Sequence, residues 1–444
     1  MGVLKDREAF IPYSRQDIID ICLSDGQLDH EEQQKFRDFC TLISAYYHFQ
    51  FHSLLEEVKS NYAPFNPDLS NKSLQTISTE QKQVMQQKLV ETFERILTKA
   101  NYFPLPAEVL EKALNEQSLI QLHTEIDFDD FEEVICYCQG DYFQDVTINK
   151  WFSQVLKEVD IYERVIILLK FKQQNQATKK SKPYLEKLEV SPDLIYIYLY
   201  KNIPKYDLDF LFPNVQTSMT LSDRLMFIIP AIGAAIPAIF KIFPQLAFII
   251  AVVAFAISGV ELWETLQITE EDLKNLMPII IAALSLIITL GGFTFRQYSN
   301  YQNKLLKFQL SVSDTLFFRN LAINAGVLSS VVDAAEEEEC KEIILVYYHL
   351  LTSKETLTPR KLDEKIESWM ECKLGTKIDF DIENTLEELT QIRGKVIHPG
   401  DNEEEVQEVS LLSYDYLGNC QIKTLNEALM VVDYLWDRAF LYSS

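Results

Sequence analysis

The feature that most constrains this chain is an apolar stretch from about Leu225 to Phe295 that carries almost no charge outside one short loop. A membrane-crossing helix needs about 20 largely apolar residues to cover roughly 30 Å of hydrocarbon. MPIIIAALSLIITLGGFTF at 277–295 meets that requirement almost unaided, and FPQLAFIIAVVAFAISGV at 243–260 is a second candidate. LMFIIPAIGAAIPAIF at 225–240 is apolar but short, and a central Pro or Lys weakens a continuous helix through it and the next segment. Two layouts follow. In the first, 225–240 is a re-entrant or interfacial lead-in and 243–260 and 277–295 form a transmembrane hairpin. In the second, 225–240 spans as well. The connection KIFPQ is very short for a turn between full spans, which favours the hairpin. Lys241 then reads as a residue snorkelling at the boundary. Its alternative role, in an ion or solute pathway, makes it the candidate membrane-functional residue.

Charge supplies an orientation. Glu261, Glu264, Glu270, Glu271 and Asp272 lie between the two spans against Lys274 alone, whereas Arg224 precedes the segment and Arg296, Lys304 and Lys307 follow it. Positive-inside bias puts both termini on the cytoplasmic side. MGVLKDREAFIPY fits neither a signal nor a transit peptide. The seven cysteines form no CxxC pair and read as reduced thiols.

The expected fold class is mainly α with small β elements: an integral membrane protein whose hairpin lies between two cytoplasmic-side soluble regions. Four regions are expected. Residues 1–122 form an N-terminal helical domain. Residues 123–222 are mixed α/β, with YERVIILLKFK and LIYIYLYKNI as an antiparallel strand pair. Residues 223–296 are the membrane domain, and 297–444 are a C-terminal helical domain. In that last region LTPRKLDEKIESWM starts on Pro359 as a first-turn residue, the helix ENTLEELTQI follows, and strands lie around VSLLSYDYLG. Three helices and then a β wing is the order of a winged-helix domain. Its third helix carries Asp381, Glu383, Glu387 and Glu388, which repel phosphate, and the net charge of −25 excludes a general nucleic-acid footprint.

His48, His52 and Glu56 are spaced by four on one helical face, a pattern that can place two imidazoles and a carboxylate around one metal. The plain alternative is that the histidines pack among Tyr46, Tyr47, Phe49 and Phe51. No GxSxG, GxxxxGK[ST], GxGxxG or HExxH motif is present, so the common hydrolase, P-loop, dinucleotide and metalloprotease signatures fail.

NIPKYDLDFLFPN, YQNKLLKFQLSVSDTLFFRNLAINAGVL, KEIILVYYHLL and IDFDIENTLEEL, with ANYFPLP, IDFDDFEEV and YERVIILLKFK, resemble domain-of-unknown-function family 3754, which includes the mitochondrial transmembrane protein 143. The resemblance runs from about residue 10 to 440. It implies an integral membrane protein of bacteria, cyanobacteria especially, or of organelles, and it carries no agreed chemistry. The expected location is a bacterial inner membrane or thylakoid membrane. The leading functional expectation is a non-enzymatic membrane-anchored adaptor that presents acidic soluble domains to protein partners. An oligomeric channel or transport component and a metal-dependent enzyme using His48, His52 and Glu56 are the alternatives. Expected partners are membrane lipids and other proteins or a second copy of the chain, and not nucleic acid; no cofactor is specified.

Overall fold

The protein is described by a computed structural model over residues 8–69, 77–106, 110, 123–150, 153–172, 190–218, 281, 285, 288, 291–292, 295–296, 298–307, 309–310, 312–398 and 406–438. Two compact units divide the chain. The first comprises Met1–Ala113, Phe128–Leu208 and Arg319–Ser444, and the second Leu114–Asp127 and Asp209–Phe318.

In the first unit the sequence opens three helices with the same device. Ser14, Asp29 and Ser78 cap α1 (Arg15–Ser24), α2 (His30–Tyr62) and α3 (Thr79–Lys99). Each cap accepts a bond from the third helical N–H, and Asp17, Glu32 and Gln81 return one to the cap backbone. These capping boxes satisfy donors that a helix start leaves without intrahelical partners. The central helix is α4 (Ala325–Thr352), in which every residue from Glu338 to His349 is buried. It packs against α1, α2, α3, α5 (Pro359–Leu374) and α6 (Ile382–Gln391). A helix covered all round is a core element rather than a surface one. Phe39 stacks on Tyr347 with centroids 4.0 Å apart, and Phe36 meets Tyr348 edge-on at 5.8 Å.

A five-stranded antiparallel sheet flanks the helices in the order β1 (Phe103–Pro104), β3 (Phe131–Lys150), β4 (Ser153–Phe171), β5 (Ile195–Pro204), β7 (Asn320–Ile323). Residues 165–169 of β4 are buried at every position, so both faces of the sheet are covered there. Gly140 bends β3 with φ at 68°, and a Cβ on it would lie 2.7 Å from the Glu163 Cβ, so no other residue fits the strand at that point. Asn324 ties the start of α4 to the sheet: its backbone N–H donates to the Ile197 carbonyl at 2.7 Å, and its Oδ1 accepts from Ile197 N–H at 3.2 Å.

After α6 come two short ribbons, β8 (Arg393–Lys395) with β9 (Glu408–Ser410) and β10 (Leu412–Tyr414) with β11 (Cys420–Ile422), and then α7 (Leu425–Arg438). Gly394 passes so close to α7 that a Cβ would lie 2.4 Å from the Val431 carbonyl oxygen. In the second unit β2 (His123–Glu125) pairs antiparallel with β6 (Gln216–Ser218), and Phe210 packs with Val215, Tyr301 and Val312.

These observations correct the expected fold class. The β elements are not small: β3 is 20 residues long and β4 is 19. The pairing of β4 with β5 runs from Ile161↔Pro204 to Lys170↔Ile195, and from Tyr162↔Ile203 onward it lies within the segments expected to pair. β3 was hidden because its acidic and amide residues interrupt a strand pattern whose apolar partners lie on β4. NLAI at 320–323, expected within a helix, is an edge strand, because pairing with β5 outweighs the helical propensity of its neighbours.

The membrane expectation is corrected too. A helical span of a bilayer needs about 20 largely apolar residues in helical conformation. Among the described residues, no helix is long and apolar enough to cross a membrane. On that finding the integral-membrane architecture is withdrawn, together with the inner-membrane or thylakoid location and the cytoplasmic-side topology. The lead-in 225–240, the segment 243–260 and Lys241 lie outside the described residues. Of 277–295, only positions 281, 285, 288, 291, 292 and 295 are described, each helical and exposed.

Candidate functional site

The run Glu336–Glu337–Glu338–Glu339 reads in sequence as a solvated acidic face, yet it sits where α4 enters the core. A carboxylate withdrawn from water must be paired or protonated, and each of these four finds its own solution. Glu336 Oε2 lies 3.0 Å from His48 Nδ1. Glu337 Oε1 accepts the Arg15 backbone N–H at 2.6 Å, and the Arg15 guanidinium reaches both Glu336 and Glu337 at 3.8 and 3.5 Å. Glu338 accepts the Ile11 N–H at 3.1 Å and the Lys341 ammonium at 2.6 Å. Lys341, itself 3 % exposed, also donates to the carbonyls of Ile11 at 2.6 Å and Tyr13 at 3.1 Å. Burial pushes the Glu338 carboxyl up, and Lys341 opposes that without cancelling it. This group fastens the N-terminal segment to α4.

Glu339 and Glu342, one turn further on, face an open cleft. Lys99, at the end of α3, holds its ammonium 2.6 Å from Glu339 Oε1 and 2.6 Å from Glu388 Oε1 on α6. The Tyr47 hydroxyl donates to Glu388 Oε2 at 3.0 Å. Burial raises the Glu339 carboxyl, and the neighbouring Glu388 raises it further. Burial opposes ionisation of Glu388 as well, but bonds from Glu339, Lys99 and Tyr47 outweigh it and hold that carboxyl low. Such a pair keeps one proton and one charge. Burial also works against the charge on Lys99, yet the two glutamates keep it protonated, so it offers no free amine for imine chemistry.

Glu342 is buried to the same degree as Glu339. Its Oε1 accepts from Asn101 Nδ2 at 3.0 Å, and its Oε2 lies 3.0 Å from the Thr385 hydroxyl. Burial dominates, with the charge of Glu338 adding to it, and pushes the carboxyl up to about 8 against the bonds from Asn101 and Thr385. Asn101 reaches it because φ at 57° turns the chain left-handed directly after α3, a conformation that Asn tolerates.

The cleft has two halves. One, of about 410 Å³, is lined by Arg95, Thr98 and Lys99 of α3, Asn101, Glu339 and Glu342 of α4, and Asp381, Asn384, Glu387, Glu388 and Gln391 of α6 and its cap. The other, of about 320 Å³, is walled by Tyr46, Tyr47, Gln50, Phe51 and Leu54 of α2 with Ile392. Arg95, Lys99, Glu388 and Gln391 belong to both. Five carboxyls against two cations in the first half, beside aromatic rings in the second, make a receptor for a cation carried on an apolar body.

The residues singled out from the sequence are placed elsewhere. His48, His52 and Glu56 are exposed on the outer face of α2, and His48 meets Glu336 rather than the other two. Among the described residues, no group of three His, Cys, Asp or Glu side chains is arranged to hold a metal. Glu387, Glu388 and Asp381 were noticed only as groups that repel phosphate. Lys99, Glu339 and Glu342 were missed. The available signal was four glutamates abutting CKEIILVYYHLL in one helix, since acids joined without a break to so apolar a run must enter the core with it.

The strands that frame the core on the other side carry a family match. Residues 162–326 match the family model described as protein of unknown function (DUF3754). The DUF3754 segment contains most of the buried part of β4, all of β5, β6 and β7, and the first two residues of α4. It does not reach the cleft, whose residues lie before 102 and after 338. The finer likeness to transmembrane protein 143 finds no support in that match. No solved structure matches the chain.

Proposed function

We propose that the chain is a non-enzymatic interaction module whose cleft takes up a lysine side chain of a protein partner, with an aromatic residue of the same segment in the adjoining half. The observation that carries this reading is the shared wall: Glu388 and Lys99 border both the acidic and the aromatic cavity, so one ligand can occupy the two together. The seat of Lys99 supports an ammonium as the cation. It already lies 2.6 Å from a carboxyl oxygen of each of Glu339 and Glu388, and a second ammonium finds further oxygen partners in Asp381 and Glu387 of the same cavity. Cation–π attraction to Tyr46 and Tyr47 contributes about 0.5–2 kcal/mol, depending on desolvation.

The test is titration with a capped peptide that places one lysine beside one phenylalanine, against the same peptide with norleucine for lysine. The lysine peptide is expected to bind at least tenfold more tightly, and Glu387→Lys to remove that preference. Equal binding of both peptides, or of neither, overturns the reading.

A further inference from the structure

The Glu342 carboxyl stands in a hydrogen-bond arrangement that can be completed in two ways. The Thr385 hydroxyl lies 3.0 Å from Glu342 Oε2 and 3.0 Å from the backbone carbonyl of Asp381. A hydroxyl has one proton, so it donates to only one of the two at a time. If Glu342 is ionised, Thr385 donates to it and the Asp381 carbonyl gives up that bond. If Glu342 is protonated, its own O–H donates to Thr385, and Thr385 donates to Asp381. Both arrangements use the same heavy-atom positions, so switching between them needs only rotation of a hydroxyl and gain or loss of one proton.

We propose that entry of an ammonium group into the cleft drives Glu342 from the second arrangement to the first, expelling one proton to solvent for each cation bound. This rests on the cation-binding reading above. The balance is simple: the Glu342 O–H bond breaks, the proton leaves to water or buffer, and the carboxylate that remains gains the ligand's positive charge as a neighbour.

The groups facing Glu342 favour this exchange. On its own helix stand Glu338 and Glu339; Asn101, Lys99 and Arg95 line the same cavity from α3 and its end. Asp381, Glu387 and Glu388 line it from α6, and Tyr47 of α2 is bound to Glu388. Acids outnumber bases here, so an added cation meets a surplus of oxygens and lowers the cost of ionising Glu342. Burial keeps Glu342 protonated near neutral pH while the cleft is free of cation.

By linkage, one proton expelled per ligand makes affinity rise with pH, up to roughly tenfold per pH unit below the carboxyl's own value. The cleft would therefore accept a partner above neutrality and release it in a mildly acidic setting.

The experiment is calorimetric titration of the whole chain with the capped lysine–phenylalanine peptide near pH 7, in phosphate and in Tris. The two buffers differ in ionisation enthalpy, so the difference in observed heat counts protons released. About one proton per peptide is expected, together with affinity that weakens roughly tenfold from pH 7 to pH 6. In Glu342→Gln the pH dependence and most of the proton release should disappear from whatever binding remains; release and pH dependence kept at the wild-type level would overturn the assignment to Glu342. Binding with equal heat in both buffers overturns the proton exchange but leaves the cation site standing. No binding in either buffer overturns both. The wild-type proton count stands by itself if the variant fails to fold.

Discussion

Glu342→Gln should change how stability depends on pH, with a sign that is unusual for removal of a buried acid. In the fold the Glu342 carboxyl stands at about 8 instead of its ordinary 4.5. Between those values the folded state holds a proton that the unfolded chain has lost. The stabilising contribution is therefore complete below 4.5 and is lost as pH climbs through about 8. At about 1.4 kcal/mol for each pH unit, the interval sets a ceiling of about 5 kcal/mol, and structural relaxation around an ionised Glu342 makes the observed loss smaller. Gln reproduces the neutral carboxyl without its proton: its Oε1 accepts from Asn101, and its Nε2 donates to Thr385. The variant should match the wild type near pH 5 and exceed it by about 2–4 kcal/mol at pH 8. Urea unfolding followed by circular dichroism at pH 5, 6, 7 and 8 measures this, and comparison of the two proteins cancels the other titrating groups. Parallel pH profiles would refute the reasoning, as would a variant less stable than the wild type at pH 8, because either result means that Glu342 is ionised in the fold at neutral pH.

Three further outcomes follow from the packing. Lys341→Met leaves the Glu338 carboxyl and two carbonyls without their buried donor and should cost about 3–5 kcal/mol in urea midpoint analysis; adding Glu338→Gln should recover a large part of it, and purely additive losses would show that the pair is not coupled. Gly394→Ala drives a methyl into the Val431 carbonyl and should destabilise by about 3 kcal/mol or more. In contrast Gly326→Ala, with only the Ala322 methyl nearby at 3.7 Å, should stabilise α4 by about 0.5 kcal/mol, so the two melting temperatures should move in opposite directions. Phe39→Ala removes the ring stacked on Tyr347 and should cost about 3–5 kcal/mol in the same unfolding assay; a loss under 1 kcal/mol would mean that the core around α4 collapses freely.

Local features of this chain were legible before its fold. Pro359 sits in the first turn of α5 as expected, and α6 (Ile382–Gln391) matches the expected helix ENTLEELTQI to within one residue at each end. The β4–β5 pair was visible because two apolar, β-branched runs need each other and little else. Caps and strand runs are short-range signals, written in residues a few positions apart.

What the sequence alone did not decide is which charged residues leave water and which apolar residues stay together in a helix. Four glutamates in a row are a surface in isolation; they become a clamp, a shared-proton pair and a cleft wall only because Ile11, Arg15, Lys99 and Glu388 arrive from positions 49 to 327 residues away. Likewise NLAI is a strand only because β5 offers it an edge. Periodicity reports a residue's preference between water and core, a property of one side chain and its neighbours. The partner that makes burial of a charge tolerable is supplied by the tertiary fold, and so the cleft was invisible until that fold was known.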